Sequence, residues 1–267
     1  MKPLRALTAA ALLAFVPAAA AAGQGAAREL LRRSGLEAQL TQVEGAVRVA
    51  ILEHARGESD PRRVAGVTDA ARRAFASERL RATVVRHLAA LDRASARAAL
   101  AFLRSAAGRR ATRAEVAASE PEALAAEDDS RSGTVPALSA ARRDLIARLE
   151  RASAGGQARL ELDVRLSSAM LEGALAARPE LAAVAPRAER SGSEAHAAQL
   201  EAYREAVRRD DARVYRELTD EELARYVEFA ESPAGRRYQA AVRAALLAAL
   251  EEAGRLFGEL LVGERAA

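Results

Sequence analysis

Cysteine is absent from the 267 residues, which excludes disulfides, a thiol nucleophile and a thiol-linked lipid anchor. Tryptophan is absent too, and aromatic residues make up only 3% of the chain, leaving no run of rings on which nucleic-acid bases would stack. Lysine occurs once, as Lys2. Histidine occurs three times, at His54, His87 and His196, without an H-E-x-x-H, C-x-x-C or calcium-loop pattern anywhere; we therefore expect no metal site and no cofactor. A G-x-S-x-G elbow and a phosphate-cradling glycine loop are also missing, so no catalytic residue is assigned and the chain is read as a non-enzyme. No alternating apolar–polar stretch of useful length occurs, which argues against sheets.

What is present begins at the N-terminus. Lys2 and Arg5 form a basic region, Ala6 to Val16 an apolar run, and Ala20-Ala21-Ala22 a small-residue site before Gly23. That is the layout of a secretory signal peptide, covering 1–22. The apolar run is short for a bilayer span and Pro17 interrupts it, so an uncleaved anchor is the weaker reading. We expect export to a bacterial periplasm, with no membrane span once the signal is removed. The isoelectric point near 10.0 points towards nucleic acid, but loss of Lys2 and Arg5 lowers the formal charge from +4 to +2. The remaining arginines come as scattered doublets among acids rather than as a stripe, so nucleic acid is not expected as a partner.

Beyond Gly25, Ala, Leu, Arg and Glu dominate and apolar residues recur at three- and four-residue intervals, the helical pattern. Leu30, Leu31, Leu36, Leu40, Val43, Val47 and Ile51 trace one apolar face interrupted at Ser34-Gly35. Residues 119–139 collect Pro, Gly, Ser and acids, and read as a linker. Helices are expected before it and again from Ala140 to Leu261, including one over Pro179 to Arg190.

The stretch FLRSAAGRR, Phe102 to Arg110, returns as FAESPAGRR, Phe229 to Arg237. A shift of 127 residues also lays Leu91 on Leu218. The fold expected is thus all-α, a helical bundle of two tandem related units at 26–118 and 140–262. In the second copy Thr219 and Glu222 form a capping box, starting a helix that turns Leu223 inward. Ser232 then caps the next helix, with Pro233 in its first turn and Gly235 allowing two backbones to approach. Phe102 and Phe229 are expected to be buried beside the two corners, with Arg236 and Arg237 in solvent. A second reading makes Ser232 and Arg236 an anion-binding helix terminus. The four tyrosines, Tyr203, Tyr215, Tyr226 and Tyr238, read first as core residues and second as the rim of a small-ligand pocket.

The segment VYRELTDEELARYVEFAESPAGRRY, Val214 to Tyr238, resembles the DUF2059 family, with its aromatic before a T-x-E-E-L turn and its S-P-x-G corner followed by basic residues. Tyr215, Thr219, Glu221, Glu222, Leu223, Phe229, Ser232, Pro233, Gly235, Arg236 and Arg237 carry the likeness; the first half departs from it at Ala106 and at Asp92 to Ser95. The resemblance implies an exported, all-helical bacterial protein without an assigned activity. The function expected is a binding or protein-interaction module of the cell envelope, its partner an unknown envelope protein or small ligand, its oligomeric state open. Alternatives are a hydrolase or other enzyme with a dispersed site, and a chaperone-like envelope scaffold. Convergent polar groups in a pocket would favour the first, a buried carboxylate pair in a cleft the enzyme, and a large apolar groove the scaffold.

Overall fold

The computed structural model describes residues 21–54, 60–120, 138–183 and 193–263. Residues 1–20 of the signal segment, residues 121–137 of the linker and the side chain of His54 lie outside the described residues. The protein is an all-α helical bundle. Its first helices are α1 (Gly23–Arg33), α2 (Leu36–His54), α3 (Pro61–Ala74), α4 (Ser77–Leu88), α5 (Arg93–Arg104) and α6 (Ala106–Ala118). After the linker come α7 (Ala140–Ser153), α8 (Gly155–Ala177), α9 (Ser193–Val214), α10 (Asp220–Glu231) and α11 (Pro233–Gly263). Among the described residues no strand forms; Ala21 and Asp92 make one isolated bridge.

Helix starts follow side-chain chemistry. Asp60 accepts from the Arg62 amide at 2.9 Å ahead of Pro61, Ser139 from that of Arg142 at 3.1 Å, and Asp92 from that of Ser95 at 2.8 Å. Each satisfies an amide that has no partner within its helix. The expected capping box is present: the Glu222 amide donates to Thr219 Oγ1 at 3.2 Å, and the Thr219 amide to Glu222 Oε2 at 3.0 Å. The break between α1 and α2 falls at Ser34-Gly35, as the interrupted apolar face predicts. The stretch expected as a helix from Pro179 is a 3-10 turn over Pro179–Ala183, and residues 184–192 lie outside the described residues.

Two apolar clusters hold the bundle, and they cut across the two halves of the sequence. The larger draws on α1 to α5, through Leu30, Leu80, Val84 and Leu88, but also on α11, whose Tyr238, Ala245, Ala249, Ala253 and Phe257 are buried in it. In the smaller, Ala111 of α6 packs with Ile146 and Leu149 of α7, Ala212 of α9 and Leu223 and Val227 of α10. Each half's last helix therefore completes the cluster formed mainly by the other half. Along α11 runs α8, at backbone distance: a Cβ on Gly173 would lie 1.9 Å from the Arg255 carbonyl oxygen, and one on Gly258 2.0 Å from that of Met170. Small residues let these helices pack without intervening side chains.

The two corners share their geometry. The Ser105 amide donates to the Phe102 carbonyl at 2.8 Å and that of Ser232 to the Phe229 carbonyl at 3.0 Å. Ser105 Oγ accepts from the Gly108 amide, and Ser232 Oγ from the Gly235 amide, both at 3.0 Å. A Cβ on Gly108 would sit 2.1 Å from the Phe102 carbonyl oxygen, and one on Gly235 1.9 Å from that of Phe229. The rings of Phe102 and Phe229 stack on each other, centroids 4.4 Å apart and planes 7° from parallel. Both are half-buried, contrary to the expectation of full burial. The reason is that the stacked pair borders a pocket rather than solid core.

Each corner also grips the start of the opposite helix. Arg110 donates to Glu222 Oε1 at 3.1 Å and to the Glu217 carbonyl at 2.7 Å. Reciprocally, Arg237 Nε donates to Ser95 Oγ at 2.8 Å and lies 3.3 Å from Asp92 Oδ2. Under the 127-residue shift Arg110 lies on Arg237 and Ser95 on Glu222, so the two grips correspond. Both arginines of the pair are exposed, as expected, but Arg237 is in addition tied to a fully buried serine. Arg237→Ala should cost about 1–2 kcal/mol by removing a charge-assisted bond to buried Ser95 and the pairing with Asp92, against less than about 0.5 kcal/mol for Arg236→Ala. Urea melts of the two variants check this; equal costs would contradict it.

Candidate functional site

Where the corners meet, a cavity of about 190 Å³ opens between α2, α5, α6, α10 and α11. Its apolar wall comes from Phe102 and Leu103 of α5, Phe229 of α10 and Val242 of α11. Polar groups converge from the other sides: Ser34 and Gln39, Glu115 of α6, Tyr226 of α10, and Tyr238 and Gln239 of α11. The volume is below the 300–1,000 Å³ of drug-sized sites. It suits a small molecule, since it holds about six groups the size of water at ~30 Å³ each.

Glu115 organises the polar side. Its Oε1 accepts from the Tyr215 hydroxyl at 2.7 Å and from that of Tyr226 at 3.0 Å. Oε2 accepts no hydrogen bond among the described residues, and Glu115 forms no ion pair among them. Glu115 retains some solvent contact as a residue, but protein crowds its carboxyl, and this desolvation raises its pKa against the opposing pull of the two tyrosine bonds. The same burial, followed by the Glu115 charge, raises both phenols well above their usual value, so they stay neutral donors. Ring contacts fix the group: Tyr226 meets Tyr215 edge-on at 5.7 Å and stacks with Phe102 at 5.2 Å. The Tyr215 backbone is held by Arg142, which donates to its carbonyl at 2.6 Å.

Behind Glu115 lies a second acid. Asp211 of α9 has its pKa pushed up to about 8, first by desolvation and then by the charges of Glu115, Asp210 and Glu150. Asp211 therefore holds its proton at neutral pH. Asp211 is not among the residues lining the cavity. Glu150 of α7, fully buried, accepts from the Gly156 amide at 3.3 Å and lies 3.8 Å from Arg208.

Of the residues singled out from sequence, Phe229 lines the cavity, Tyr215 reaches Glu115 from behind it, and Ser232, Pro233 and Gly235 form the corner that aims Phe229. Thr219, Glu222 and Leu223 start α10; Arg236 is exposed, and no anion-binding partner for it emerges. The second reading of the tyrosines fits Tyr226 and Tyr238, which do rim a pocket, while Tyr203 stands apart, its hydroxyl bonded to Asp163. Glu115 and Asp211 were missed. A signal existed: Glu115 continues the buried stripe of Gly108 and Ala111, and Asp211 that of Tyr215 and Leu218. An acid on an apolar helical stripe is the mark to look for.

Among the described residues no cluster of three or more acids or histidines could hold a metal ion, and no helix is long and apolar enough to cross a membrane. No family model matches the chain, and no match is found among curated proteins or solved structures.

Proposed function

We propose that the protein is an exported binding module that takes a small ligand between two diverged copies of one helical unit. The observation that carries this is the cavity where the corners meet, with Glu115 presenting an uncommitted carboxylate oxygen beside aromatic walls. That oxygen keeps contact with solvent, and a carboxylate oxygen open to a cavity of mostly apolar lining is what a ligand's donor would meet. Support for the duplication comes from the matched serine bonds, the matched glycine contacts and the reciprocal arginine grips. The signal layout at residues 1–22 supports export to the periplasm, and the Val214–Tyr238 segment supports kinship with the DUF2059 family.

A second reading, an enzyme, draws on the Glu115 and Asp211 pair. Binding is preferred because Asp211 stands behind Glu115 rather than on the cavity wall, out of reach of a bound molecule. Native mass spectrometry of the protein purified from periplasm tests the proposal. The expected spectrum has an N-terminus at Gly23 and a retained small molecule that is lost when Leu103→Trp fills the cavity. An unprocessed Met1 would refute export; adducts unchanged by the filling variant would refute the site.

A further inference from the structure

We infer that the ligand is a small organic cation, a primary ammonium on a compact apolar body, with Glu115 as its counter-ion; this rests on the binding reading above. The argument starts from a missing charge. Arginine is abundant in this chain, and acids of the elements that form the corners use it: Glu222 pairs with Arg110, Asp92 with Arg237, Asp220 with Arg142 and Glu231 with Arg148. Glu115 has no such partner among the described residues, although it is half-buried and protein crowds its carboxyl. No arginine or histidine lines the cavity. Glu115 Oε2 keeps contact with solvent, so water alone meets this side of the carboxyl, and a cation in the cavity would supply the partner that the protein does not.

The hydrogen-bond count agrees. Two tyrosine hydroxyls supply Oε1, leaving Oε2 open to a donor. An ammonium brings three donors; one satisfies Oε2, and the cavity lining also holds acceptors for the others in the side-chain carbonyls of Gln39 and Gln239 and the Ser34 hydroxyl. Two of those acceptors are amides rather than acids, which keeps the site's charge at one. In the same lining Leu103, Val242 and the rings of Phe102 and Phe229 offer apolar surface. An anion is disfavoured on the same ground, since it would meet Glu115 without any compensating arginine. A larger cation, such as a polyamine, exceeds a cavity of about 190 Å³.

Three ligands of nearly one shape test the inference: benzylamine, benzyl alcohol and benzoate, titrated calorimetrically at pH 7 into the full-length mature protein. Benzylamine should bind at least tenfold more tightly than benzyl alcohol, and benzoate should not bind. Glu115→Gln, which keeps an acceptor for Tyr215 and Tyr226, should bring benzylamine and benzyl alcohol within twofold of each other. Equal affinity for the amine and the alcohol in the wild type would overturn the cation inference while leaving the pocket a binding site. Tightest binding of benzoate would do the same. If none binds, both this inference and the binding reading fall. The wild-type ranking needs no variant, so a Glu115→Gln protein that failed to fold would still leave the inference decided.

Discussion

A single methyl group at Gly235 should destabilise the protein by about 3–4 kcal/mol. Its Cβ would stand 1.9 Å from the Phe229 carbonyl oxygen, 2.8 Å from the carbonyl carbon and 3.1 Å from Ala230 Cα. These are backbone atoms, and the oxygen is already held by the Ser232 amide and hydroxyl. Nothing can swing aside; α10 and α11 must part, which pulls Phe229 off Phe102. Alanine's better helix propensity offsets roughly 1 kcal/mol of the strain. Gly108→Ala should behave alike, its Cβ lying 2.1 Å from the Phe102 carbonyl oxygen. Gly45, within α2, is the control: nothing lies within 4 Å of a Cβ there, and alanine should stabilise by up to about 1 kcal/mol. Urea denaturation with unchanged m-values measures all three. A Gly235→Ala variant within about 1 kcal/mol of wild type would mean that the corner is not the rigid joint described.

Stability should also fall as pH rises, and Asp211 should be the main cause. Its carboxyl titrates at about 8 in the folded protein but near ~3.9 in an unfolded chain. Below about pH 4 both states hold the proton, and the contribution of this group is present in full. Between about 4 and 8 the folded protein retains a proton that the unfolded chain has released, so stability declines, by at most about 1.4 kcal/mol per pH unit. Above 8 the loss is complete. Because Asp211 keeps some solvent contact, the expected loss between pH 4.5 and 8.5 is about 2–4 kcal/mol rather than the ~5 kcal/mol of the undiminished shift. Asp211→Asn should abolish that part of the slope and exceed wild type in stability at pH 8.5. Parallel pH profiles for the two proteins would refute the assignment.

Features written in local chemistry were legible in the sequence. The Thr219–Glu222 box and the Ser232 corner depend on residues three apart, so side-chain type and spacing suffice to place them. The all-helical class followed from composition and periodicity summed over many residues. The pocket was not legible, because its central bonds join residues remote in the chain: Glu115 to Tyr215 and Tyr226, and Arg237 to Ser95. Local reasoning treats Arg237 as one more solvated arginine and Glu115 as one more helix-favouring acid. Only the packing of α6 against α9 and α10 distinguishes them. The half-buried state of Phe102 and Phe229 escaped for the same reason, since whether an apolar face meets core or cavity is a property of the assembled helices.

The placement of α11 has a consequence for how the chain is made. Synthesis delivers a polypeptide from its N-terminus, yet the larger apolar cluster needs the helix Pro233–Gly263 to close. Leu80, Val84 and Leu88 must wait for Ala245 and Ala249 to arrive. Such long-range closure slows folding relative to a bundle of sequential neighbours. An incomplete chain exposes the α4 face that α11 will cover and has no means of hiding it. Compaction of the larger cluster therefore waits until Pro233–Gly263 has left the ribosome.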